Sequence, residues 1–179
     1  MKNEYIKIAR YFDKVKNGMM IQRQEAGDYI FTDGYICIKT DPATYEKYFH
    51  DEKPRCFKIL EAGEAIRDGR PAELHLENIF SHLEPGEELT DPGVKIRHDV
   101  KGKTDFAPVL LCGGALMVFN PALFDIFAGV ITTWRAWSNT RPAFGTDNNI
   151  TAVVCPLQPG ANAGEAGAAL ELFCQVYAA

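Results

Sequence analysis

The same local order of elements is read twice along this chain, and that order leaves few folds open. Residues 114–159 read as strand, helix and three strands. Ala115-Leu116-Met117-Val118-Phe119 is an apolar strand. Asn120 is a helix cap and Pro121 the first helical position of a helix expected over 121–129, with Leu123, Phe124 and Phe127 on its buried side. Strands are expected next over 130–138, over 142–146 as an edge strand that tolerates Pro142, and over 150–155. Residues 1–40 repeat much of this. Tyr5, Ile8, Phe12 and Val15 recur at helical spacing within 4–16, and Asn17-Gly18 stops that helix. Three short strands follow over 19–24, 29–32 and 35–40, with Asp33-Gly34 supplying the positive φ angles of a tight hairpin turn.

Between the two units the chain is more polar, so residues 41–105 read as an insertion. Asp41-Pro42 caps a short helix reaching Phe49, and Cys56-Phe57-Lys58-Ile59-Leu60 reads as a strand. Leu76, Ile79, Phe80 and Leu83 predict a helix over 72–83. Strands are expected over 94–98 and 106–112, and Gly113-Gly114 marks a bend or bulge. After Pro159, Gly160-Ala161-Asn162-Ala163-Gly164 reads as a small-residue linker to an amphipathic helix bearing Leu170, Phe173, Cys174 and Tyr177 on one face. The expected fold is α+β: two tandem (β)αβββ units over 1–158 with a mid-chain insertion, then a linker and C-terminal helix over 159–179.

With 179 residues, 46% of them apolar, the chain can close a core without a disulfide or metal staple. Its five cysteines form no Cys-x-x-Cys pair, and four lie in or beside apolar runs, as buried thiols of a reducing compartment do. The start, Met1-Lys2-Asn3-Glu4-Tyr5, has no apolar signal core and no stretch approaches a membrane-spanning length, so a cytoplasmic location and no membrane partner are expected. A net charge of −5 argues against a uniformly basic coat but leaves room for a local basic face.

Val118-Phe119-Asn120-Pro121-Ala122-Leu123-Phe124, opening the second unit, and Ala152-Val153-Val154-Cys155-Pro156-Leu157, closing it, resemble one domain of a DNA sliding clamp of the bacterial polymerase processivity type. Thr32-Asp33-Gly34-Tyr35 is similar to the hairpin of clamp-like proteins of phages and mobile elements. The resemblance covers about 1–40 and 106–158. It implies helices facing a duplex, sheets outside, self-association of several domains, and replication proteins as partners.

Lys7, Arg10 and Lys14 share a strip of the first helix and form the candidate DNA-binding set, since three cations can neutralise phosphates without reading sequence. The same spacing also describes an ordinary solvated helix face. The second expected helix carries no cation and one aspartate, Asp125. Ala169-Leu170-Glu171-Leu172-Phe173 is similar to the peptide by which replication proteins dock on a clamp, with alanine in the usual glutamine position. Leu170, Leu172 and Phe173 are therefore a candidate protein-interaction site, although a helix packed on its own domain explains the same residues and is the preferred reading. Trp134 and Trp137 are expected on opposite faces of their strand, one in the core and one at an interface. His50, His75, His82 and His98 are scattered, no nucleotide-binding glycine loop is present, and no catalytic or metal-ligating set or cofactor is expected. The first expectation is a non-enzymatic DNA-associated or replication accessory protein. A self-assembling interaction module without a DNA role is the second. The third is a small enzyme with acidic residues, such as Glu77, Asp99 and Asp105, converging from the middle.

Overall fold

The computed structural model describes residues 2–15, 18–81, 86–93, 95–100, 103–139 and 141–157. The C-terminal helix expected after the linker, with Leu170, Leu172 and Phe173, lies outside them.

The fold is α+β. The chain opens with α1 (Lys2–Asp13), whose Tyr5, Ile8, Ala9 and Phe12 are buried at the expected spacing. A meander follows: β1 (Met20–Arg23), β2 (Tyr29–Thr32) and β3 (Ile36–Thr40). Asp41 accepts from the Thr44 N–H at 2.9 Å and so caps α2 (Pro42–Tyr45), which continues as a π turn over Glu46–His50. The strands β4 (Ala65–Arg67) and β5 (Arg70–Pro71) come next, then a 3₁₀ turn at Leu76–Ile79 and β6 (Glu87–Glu88). A long hairpin of β7 (Lys95–Val100) and β8 (Lys103–Cys112) leads to β9 (Ala115–Val118). Finally α3 (Pro121–Phe124), with a 3₁₀ turn at Asp125–Phe127, precedes β10 (Trp134–Ala136), β11 (Ala143–Thr146) and β12 (Ile150–Val154).

Nine of these strands form one antiparallel sheet in the order β5-β4-β1-β2-β3-β12-β11-β10-β6, and β7-β8-β9 form a second, three-stranded sheet. The two meanders meet at their last strands, where β3 and β12 pair from Ile36↔Val154 to Thr40↔Ile150. Alternation assigns the faces of the large sheet. Tyr29, Phe31, Ile36, Ile38, Ile150, Ala152 and Val154 join the helices in the main core, while Ile30, Cys37, Phe144 and Val153 form a smaller cluster with Leu76 on the other face. Aromatic rings fill the main core around Phe31, whose centroid lies 4.9 Å from Phe49 and 5.1 Å from both Phe12 and Phe57.

Several local expectations are corrected. Residues 56–60 carry no strand: Phe57 and Leu60 plug the core from an irregular segment, so apolar content there reports burial and not pairing. The helix expected over 72–83 is, in its described part, the single 3₁₀ turn at Leu76–Ile79, because that segment lies across the sheet and Leu76 reaches the smaller core. The helix expected over 121–129 is one α turn and one 3₁₀ turn, although Asn120 does cap it, accepting from Ala122 N–H at 3.0 Å. The strand β11 is not at an edge, since β10 and β12 flank it; Pro142 is accommodated by standing just before its first residue. Gly113 and Gly114, at φ 54° and 81°, form the two-residue turn of the β8–β9 hairpin.

Candidate nucleic-acid interface

Sequence reading places a turn at Asp33 and another at Asp147, and the structure shows that the two meanders share one turn design. Thr32 pairs with Cys37 and Thr146 with Thr151, leaving residues 33–36 and 147–150 as loops of equal length. Asp33 Oδ1 accepts from the N–H groups of Tyr35 and Ile36 at 2.9 and 3.0 Å. Asp147 Oδ1 does the same for Asn149 and Ile150 at 2.8 and 2.7 Å. The remaining carboxylate oxygens accept from tyrosine hydroxyls on α1: Tyr11 donates to Asp33 and Tyr5 to Asp147. The signal was present as Thr32-Asp33-Gly34-Tyr35-Ile36 against Thr146-Asp147-Asn148-Asn149-Ile150. Only Gly34 of the first turn has a positive φ, at 91°, so Asp33 acts by its carboxylate and not by a left-handed backbone.

This double latch fixes the orientation of α1. With Tyr5, Ile8 and Phe12 held inward, Lys7, Arg10 and Lys14 are all exposed, so the structure brings the three candidate cations to the solvent side. Asp13 interrupts the strip, but Lys53 pairs with it at 2.7 Å. α1 packs against both the 46–50 turn and the 125–127 turn, so Asp125 belongs to an element beside it.

Where α1 ends, a groove of ≈ 900 Å³ opens between Asp13, Val15 and Met19, the 55–58 segment and the β4–β5 hairpin. Four exposed cations line it: Arg55, Lys58, Arg67 and Arg70. Arg67 and Arg70 are direct partners across β4–β5, joined by Asp68 and Gly69 at φ 51° and 75°. The Asp-Gly hairpin signal at 68–69 could have located this pair.

Glu77 Oε2 accepts from Gln22 Nε2 at 2.8 Å, and its other oxygen lies 3.2 Å from His75 Nδ1. Gln22 also accepts from the Leu76 N–H at 2.8 Å, so this network anchors the 3₁₀ turn. Asp99 and Asp105 lie on β7 and β8, in the other sheet. Burial pushes the Cys37 thiol up to about 12 and the Cys56 thiol up to about 11, opposite to what a nucleophilic thiolate needs. Among the described residues, no group of His, Cys, Asp or Glu side chains could hold a metal ion. Trp134 is buried and Trp137 is 51% exposed, the division between faces that their spacing predicts.

No family model matches the chain, and neither a curated protein nor a solved structure is found similar to it.

Proposed function

We propose that the chain is a non-enzymatic, clamp-like, DNA-associated protein that holds duplex by its phosphates and works beside replication proteins. The observation that carries this reading is the orientation of α1. Tyr5 and Tyr11 bond the helix to two equivalent turns, and Lys7, Arg10 and Lys14 stand exposed opposite the buried stripe of Tyr5, Ile8, Ala9 and Phe12. Support for clamp-like tandem units comes from the order helix, three-stranded meander, met twice and joined through β3 and β12. Three cations give weak, sequence-independent contact, and self-association multiplies it by bringing several such helices onto one duplex.

The test is duplex binding by the Lys7→Glu/Arg10→Glu/Lys14→Glu variant across a salt series. Each phosphate contact contributes roughly −0.9 to the slope of log affinity against log salt, so the variant's slope should be shallower by about three units. Equal, weak affinity in both proteins would remove the DNA reading. It would leave the second, an interaction module without a DNA role, which the exposed Trp137 beside β10 favours.

A further inference from the structure

We propose that the groove at the end of α1 is a binding site for linked phosphates, either a nucleotide-type oligophosphate or successive phosphodiesters of a strand. The first ground is charge. Arg55, Lys58, Arg67 and Arg70 converge on it, and the two carboxylates in its wall are already engaged. Asp13 is paired with Lys53 at 2.7 Å, and Asp68 Oδ1 accepts from the Gly18 N–H at 2.6 Å. Among the described residues, no carboxylate lies within ion-pair distance of the four cations.

The second ground is register. Arg67 and Arg70 face each other directly across the β4–β5 hairpin, an arrangement of like charges that disfavours the strand pair by itself. A bridging anion reverses that sign, and guanidinium forks suit phosphate oxygens in particular. The third ground is the wall behind them. Val15, Met19, Ile21, Cys56 and Ile66 give an apolar backing that concentrates the field of the cations. Among the described residues no aromatic ring lines the groove, so the ligand's phosphates, and not base stacking, carry the recognition. The site does not depend on the α1 strip.

Inorganic triphosphate and a short DNA duplex are the two probes, each titrated at low salt by calorimetry into the full chain. The site predicts triphosphate binding that weakens about tenfold or more in Arg67→Ala/Arg70→Ala and in Arg55→Ala/Lys58→Ala. It also predicts that Lys7→Ala/Arg10→Ala, which leaves the groove wall intact, weakens triphosphate binding less than either groove pair does. Competition of duplex by triphosphate assigns the groove to a nucleic-acid strand, and lack of competition assigns it to a small oligophosphate. Near-UV circular dichroism confirms that each variant is folded, and the two pairs lie on different segments, so both need not fail together. Triphosphate that fails to bind, or binds both groove variants as well as the parent, overturns the proposal.

Discussion

The turns at 33–36 and 147–150 are built alike, yet the helices of their two units are not. Each aspartate holds two backbone N–H groups and one phenol, with the same division of oxygens. Both phenols, however, come from α1. That helix has 12 residues, whereas its counterpart α3 has 4. Because β3 and β12 are antiparallel, their leading turns lie at opposite ends of the seam between them. Tyr5 and Tyr11 are about 9 Å apart along the helix axis, and their long side chains reach outward to the two ends. One helix therefore clasps both units. The second unit's helix, relieved of that task, is reduced to a plug in which Phe119, Phe124 and Phe127 gather around Trp134.

The largest way to break this comparison is in the cores. Phe31 is fully buried among the rings of Phe12, Tyr45, Phe49 and Phe57. Phe31→Ala should cost about 3–5 kcal/mol. Phe124, only partly buried against Phe119 and Trp134, should cost roughly half as much when truncated to alanine. Urea midpoints of the two variants decide it, and equal losses would mean that the second unit is packed as tightly as the first.

The turns come next. Asp33→Ala and Asp147→Ala each strip partners from two N–H groups and a tyrosine, for about 2–3 kcal/mol apiece. Equivalence of the turns predicts similar values. A double-mutant cycle sharpens the claim: Asp147→Ala should couple to Tyr5→Phe by about 1 kcal/mol or more, and not to Tyr11→Phe. Coupling in the crossed pair would sink the picture of two separate latches.

Legibility in the sequence follows the range of each interaction. The stripe of α1, the bounds of β2, the caps at Asp41 and Asn120 and the faces of Trp134 and Trp137 are all set within a few residues, and all are readable. The segments 56–60 and 72–81 are shaped by the sheet they lie against, so their apolar spacing suggested elements that tertiary contacts replace. The candidate site divides in the same way. The periodicity of one helix displays Lys7, Arg10 and Lys14. The groove gathers Arg55 and Lys58 from one irregular segment and Arg67 and Arg70 from a hairpin, and only the Arg67–Arg70 pair had a local signal.

Alkali tests the latches from the proton's side. Burial first, and donation to Asp147 second, push the Tyr5 phenol up to about 12, and Tyr11 is raised for the same reasons through Asp33. The folded state thus favours the neutral phenol. Its contribution is complete below the unfolded value of about 10 and is lost as pH rises from there through the folded value. The urea midpoint should fall across that window. Tyr5→Phe should start lower and fall less steeply, because the group that titrates is gone.

The smallest effect on stability should come from the residues with the largest proposed effect on binding. Lys7, Arg10 and Lys14 take no part in the hydrogen bonds of either latch, and all three are exposed. Reversing them to glutamate should change unfolding free energy by about 1 kcal/mol or less. Most of that comes from Arg10, in the last turn of α1, where a cation complements the helix dipole and a glutamate opposes it. Charge on the outer side of α1 and order on its inner side are then separable quantities. A variant that loses duplex affinity while keeping its urea midpoint places the cations in binding alone. A matching collapse of both would mean that the strip supports the helix and that the clasp, not the duplex, is what those charges serve.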